Sequence, residues 1–248
     1  MEVTLELRNV SVAVGSRVVL SSVNMKIGYR ELHVLVGPNG SGKTSLLNAV
    51  VGIKPYEVVS GQVLLMGEDV TREPPNVKAR KGLVLAHQLP PVVKGVVVGK
   101  FVEELARRFD VKKSYVDMLS EILEVGYLMD RYLFDKMSGG ERKRLETFLT
   151  LLTRPRVALL DEPDSGVDID SLNTISNALR AALNLGTSLL LVTHSLHMIK
   201  LLREYVNTIH VVYGGALLMS GLYDEVVPLV EKHGFSGLAL RFSRGGFP

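Results

Sequence analysis

Apolar and polar positions along the first 36 residues alternate in short runs broken by turn residues. Val3, Leu5 and Leu7 share one face of a strand, while Leu32 to Val36 is an unbroken apolar run that empties into a glycine cluster. Short strands are predicted here, the last of them leading into a specialised loop. Further on, the pattern predicts a helix over 45–51, a turn at Lys54-Pro55-Tyr56, a hairpin-like strand over 62–66, a break at Pro74-Pro75 and a strand over 82–86. From Val98 to about Leu133 the period lengthens. Val102, Leu105 and Phe109 fall on one helical face, with Glu103 to Arg107 and Glu104 to Arg108 spaced for i,i+4 ion pairs. Beyond Pro155 the chain alternates: strand over 157–160, helix over 171–185, strand over 188–193, helix over 196–204, strand over 208–213, a Gly214-Gly215 turn and a final strand.

Alternation of this kind means a parallel sheet covered by helices. The expected organisation is one α/β domain with an inserted helical subdomain. The Arg244-Gly245-Gly246 tail is expected to be loose. With 46% apolar and 22% charged residues, the 248-residue chain has material for one sizeable core. Its net charge of +3 is spread along the chain, which gives no tract for nucleic acid. Cysteine is absent, excluding disulfides, thiolate metal sites and a thiol nucleophile. His194 and His197 are i,i+3 neighbours without a third ligand nearby in sequence, so no transition-metal site is expected. The chain start shows no signal pattern, and runs such as Leu189 to Val192 are too short to span a bilayer. A cytoplasmic protein without direct membrane insertion is expected.

Gly37-Pro38-Asn39-Gly40-Ser41-Gly42-Lys43-Thr44 fits G-x-x-x-x-G-K-[ST] between a predicted strand and a helix opening at Ser45. In such a loop, glycines let backbone N–H groups close around phosphate oxygens, a lysine neutralises the β- and γ-phosphates, and the hydroxyl of Thr44 is a magnesium ligand. Asp161-Glu162 stands where the apolar strand Val157-Ala158-Leu159-Leu160 ends. After a P-loop, this pair reads as a magnesium-holding Asp161 and a Glu162 that takes the proton from an attacking water. Ser138-Gly139-Gly140-Glu141 opens another helical run, and its glycines allow a second close approach to an anion.

Together these residues resemble the ATP-binding cassette ATPases over almost the whole chain. The resemblance implies a single domain over 1–248 with a RecA-like P-loop NTPase catalytic α/β core over 1–88 and 150–248, an N-terminal antiparallel β subdomain and an inserted α-helical subdomain over 89–149 that carries the signature of the family. Ser138 to Glu141 is similar to its signature sequence, with glutamate where transporters usually have glutamine. The resemblance implies an ATPase using ATP and Mg2+, in which two copies dimerise head to tail and the signature Ser138 of one touches the ATP held by the P-loop of the other. It places Gln88, one of two glutamines, at the position that senses magnesium and couples to a partner. Ser165 and Asp168 take the D-loop place, and His194 that of the switch histidine contacting the γ-phosphate. The aromatic residue that stacks on adenine should fall near Val12 to Gly15, where only Val12, Ala13 and Val14 stand. Weak discrimination between ATP and GTP is the expectation.

Within the family, zinc-module and translation-factor cassettes are set aside by the missing cysteines and the single P-loop. Two readings stay open. The stretches Tyr56-Glu57-Val58, Ser138 to Arg144 and above all Asp161 to Asp170 resemble the soluble SufC-type ATPases of iron-sulfur cluster assembly, which implies SufB- and SufD-like scaffold partners bound around Gln88 and the helical insertion. The alternative is the nucleotide-binding subunit of a membrane transporter, bound to a permease; Glu162-Pro163 is the transporter-like spelling. Lys143 is placed to pair with Glu162 in an isolated subunit and hold it idle.

Overall fold

The structure, a computed structural model, describes residues 2–87 and 94–243. Two long strands, β1 (Val3–Val14) and β2 (Arg17–Gly28), precede the short β3 (Leu32–Val36) and helix α1 (Lys43–Val51). Then come β4 (Tyr56–Leu65), β5 (Glu68–Asp69), α2 (Pro75–Arg80), β6 (Leu83–Ala86), α3 (Val98–Arg108), α4 (Lys113–Ile122) and α5 (Gly139–Leu152). The last part alternates: β7 (Val157–Asp161), α6 (Ile169–Asn184), β8 (Ser188–Val192), α7 (Leu196–Leu201), β9 (Val206–Tyr213), β10 (Ala216–Gly221) and α8 (Tyr223–Ser243).

The strands join in the order β5-β4-β1-β2-β10-β9-β3-β8-β7-β6. The β1, β2, β4, β5 end is antiparallel, and β9, β3, β8, β7 and β6 run parallel. Every residue of β3, β7 and β8 is buried. That is what an unbroken apolar run needs, since helices cover both faces of the sheet. Alternate residues serve opposite cores. Val34, Leu160 and Leu191 pack with Leu145, Phe148 and Ile175 on one side. On the other, Leu35, Leu159 and Leu190 pack with Leu46, Leu47 and Val50 of α1. No helix among the described residues is long and apolar enough to cross a membrane.

Several local expectations need correction. The first segment is two twelve-residue strands, whose alternation is broken by register shifts, with Asn9 and Ser22 at positive φ, rather than by turns. The ion pair on α3 joins Glu104 to Arg107 at i,i+3, not at i,i+4. Pro74-Pro75 does not merely break the chain: Pro75 occupies the first turn of α2, where its missing N–H costs nothing. Lys78 on that helix is wholly buried, with Nζ donating to the Val50 carbonyl at 2.8 Å and the Thr71 carbonyl at 3.3 Å. The expectations for Gln88 and the 244–246 tail fall outside the described residues.

Candidate active site

Strand register gathers the motifs. Leu35 of β3 pairs with Val192 of β8, which pairs with Asp161 of β7, so three neighbouring strands end level. The loop 37–42 leaves β3, Thr193-His194 leaves β8, and Asp161-Glu162 closes β7. This is the carboxyl edge of a parallel sheet, where such folds place ligands. A cleft of about 280 Å³ opens there, lined by residues 39, 40 and 42–45 of the loop and α1 together with Val19 and Glu162.

The loop is shaped as an anion cradle. A methyl group on Gly37 would come within 2.1 Å of the Val212 carbonyl oxygen, so only glycine fits. Gly42 precedes α1 in the left-handed region, and no side chain caps the helix, leaving its first N–H groups turned to the cleft. Lys43 is buried and donates to the carbonyls of Gly37 at 2.8 Å and Pro38 at 2.9 Å. Burial holds its pKa below the usual lysine value, with Glu162 and Asp161 pulling the other way. Ser41 Oγ is buried without a hydrogen-bond partner. An uncapped helix start beside an orphaned hydroxyl suits phosphate oxygens.

Thr44 Oγ1 donates to Asp161 Oδ1 at 3.1 Å, putting two hard oxygen donors side by side, the type that magnesium prefers. Burial pushes the Asp161 carboxyl up to about 6; the Thr44 hydrogen bond opposes this and the neighbouring Glu162 charge adds to it. Glu162 adopts φ of 50°, a conformation unusual for a side-chain-bearing residue, and is fixed by its own N–H donating to Val192 and by its carbonyl accepting the Ser165 N–H. Its Oε1 meets His194 Nδ1 at 3.3 Å. Half of the His194 side chain remains exposed.

Ser138 is exposed at the start of α5 and does not line the cleft of its own chain. It forms a capping box: its hydroxyl accepts the Glu141 N–H at 3.2 Å, while Glu141 Oε2 accepts the Ser138 N–H at 2.7 Å. Arg131 and Tyr127 both donate to Glu141 Oε1, which accounts for an acid at this place. Gly139 and Gly140 are sterically required: a methyl would come within 2.6 Å of the Gly166 carbonyl or 2.4 Å of Ser171 Oγ. Asp168 caps α6, accepting the Ser171 N–H at 2.7 Å, and Ser165 sits in the turn after Glu162. Lys143 pairs with Glu146 at 3.2 Å and donates to the His87 carbonyl, and Glu162 meets His194. Burial pushes the Glu146 carboxyl up to about 7 against the pull of Lys143. Sequence reasoning missed Val19, which walls the cleft, and Asp164, whose bond to Thr193 joins two of the loops. Nothing local in the sequence marks either one. Val12 and Ala13 are buried in the core.

The family described as ABC transporter matches residues 20–165. A probable ATP-dependent transporter, ycf16, of Cyanidium caldarium is 32% identical, across 92% of this chain and 94% of its own length. An uncharacterized ABC transporter ATP-binding protein of Methanocaldococcus jannaschii is 30% identical, across 92% of each. A solved structure of a nucleotide-free ATP-binding cassette from an ABC transporter shares the fold with a TM-score of 0.78 at 22% identity, covering 96% of this chain and 98% of that one. The ADP conformation of a second cassette matches with a TM-score of 0.77 at 23% identity, across 99% and 100%. With its phosphate cradle and paired acids at one sheet edge and a matched family spanning more than half its length, the chain belongs to the ABC transporter family, as an ATP-binding cassette that hydrolyses ATP.

Proposed function

We propose that this cassette hydrolyses MgATP as a head-to-tail dimer and that its cycle reshapes a SufB- and SufD-type scaffold in iron-sulfur cluster assembly. Residues 37–45 and the Lys43 ammonium hold the phosphates, with Lys43 exchanging its bonds to Gly37 and Pro38 for phosphate oxygens. Thr44 and Asp161 would hold the cation, with Gln88 as the further ligand that the resemblance implies, and a magnesium bound there would neutralise charge on the phosphate oxygens. Glu162 accepts the proton of the attacking water. His194 and Ser138 of the second copy face the γ-phosphate, and Ser165 and Asp168 belong to the face where the copies meet. The observation that carries the hydrolytic reading is that Glu162 lines the same cleft as the phosphate loop.

Support for the scaffold reading lies in Asp161 to Asp170 and Ser138 to Arg144, the stretches most similar to SufC-type ATPases. A chain without cysteine fits that role, because sulfur and iron stay on the scaffold. The second reading, an ATPase subunit bound to a membrane permease, is favoured by the names of relatives, among them a probable ATP-dependent transporter. Capture with the tagged full chain and MgATP from separated cytosol and membrane fractions decides between them. Soluble scaffold proteins are the expected catch; a multi-span permease would replace the first reading with the second.

A further inference from the structure

Two residues past Glu162, Asp164 carries a carboxylate for which the phosphate chemistry above has no use. Its Oδ2 accepts a hydrogen bond from Thr193 Oγ1 at 2.6 Å, and the same Thr193 oxygen accepts the Ser195 N–H at 2.9 Å. Thr193 is wholly buried, so water does not compete for its hydroxyl. His194 sits between the two residues engaged in this way. Ser195 in turn caps α7 by accepting the Met198 N–H at 3.3 Å, which roots the loop in the core through the buried Met198 and Ile199. On the other side, the turn closed by the Ser165 N–H to the Glu162 carbonyl at 3.1 Å swings Asp164 back toward β8.

Packing alone is poorly served by this arrangement. Asp164 stands near a second acid, Glu162; burial pushes its carboxyl up, and the Glu162 charge adds to that push. Its Oδ1 is buried with no hydrogen-bond partner. A half-satisfied acid beside another acid costs stability, and a residue that breaks local rules next to a reacting centre points to function. We propose that Asp164 is a positioning residue for hydrolysis: by gripping Thr193 it locks the loop carrying His194 to the loop carrying Glu162, and so sets the separation of those two side chains, 3.3 Å here. This rests on the roles given above to Glu162 and His194.

The test is steady-state ATP hydrolysis by the full chain. Asp164→Ala should lower kcat about 10- to 100-fold while KM for ATP and the thermal midpoint stay near those of the parent, because misplaced groups slow chemistry more than binding. Asp164→Asn keeps an acceptor oxygen and should stay within about threefold of the parent. Thr193→Val removes that bond and also the acceptor of the Ser195 N–H, so it should be at least as slow as Asp164→Ala, and the double variant should be no slower than Thr193→Val. A parental kcat in Asp164→Ala overturns the proposal, as does an Asn variant as slow as Ala, a loss of kcat matched by raised KM and reduced stability, or losses that multiply in the double variant. If Asp164→Ala does not fold, a parental kcat in Thr193→Val overturns it. Glu162→Gln and His194→Ala are measured alongside. Parental turnover in those two removes the reading of the site itself, whereas slow turnover in them with normal turnover in Asp164→Ala removes only the role of Asp164.

Discussion

Val19 forms part of the cleft wall, and its side chain offers neither a donor nor an acceptor. An aliphatic wall gains dispersion contact with any purine and reads none of the groups that distinguish adenine from guanine. Apolar surfaces discriminate between similar ligands by modest factors, whereas polar groups built to pair with a ligand reject its analogue by several orders of magnitude. GTP is therefore expected to compete with ATP within about tenfold in a binding assay. A hundredfold preference for ATP would mean that polar groups beyond this wall read the base. The neighbouring carbonyl of Val19 explains a second residue: a methyl on Gly42 would come within 3.2 Å of it and within 2.7 Å of the Leu20 side chain, so the strand that walls the cleft also forces a glycine into the phosphate loop.

Helix α2 carries its own consequence, because the Lys78 ammonium binds the Val50 carbonyl in the last turn of the phosphate-loop helix. A cation at a helix C-terminus suits the helix dipole, yet burial lowers the Lys78 pKa from 10.5 to about 8, with Glu73 and Asp69 resisting. Between these two values the unfolded chain binds more protons than the folded one, so this group adds stability as pH rises from about 8 toward 10.5 and adds no further change below that window. Thermal midpoints of parent and Lys78→Met should diverge in favour of the parent across the window, and the variant should be weaker by about 1–3 kcal/mol at neutral pH because two carbonyls lose their donor. A constant gap over that range would contradict the assignment. Much of this level was legible in the sequence: β3 matches its apolar run, and β7 and β8 differ from theirs by a single residue at one end. The phosphate loop, the acid pair and His194 were legible too, since each stands at the end of such a run. Helix α8 was not, because Pro228 and the kink at Gly234 interrupt a segment whose apolar residues follow no single face. The Lys78, Lys143 and Asp164 contacts join positions that only tertiary packing brings together.

For the whole molecule, the decisive feature is that Ser138 and Asp168 lie exposed while the cleft holds Lys43, Thr44 and Glu162. In the proposed cycle, the cradle of one copy is covered by the separate surface of another that carries Ser138 and Asp168. Glu162→Gln should lower turnover about 10²- to 10⁴-fold, retain nucleotide, and elute with MgATP as a particle of twice the mass. Unchanged turnover, or a single-copy particle at saturating nucleotide, would count against the proposed cycle. The contact between Gly139 and the Gly166 carbonyl leaves no room for even a methyl group. Signature and post-acid loops therefore lie in close backbone contact at this point. Any residue larger than glycine at 139 would have to push these two loops apart.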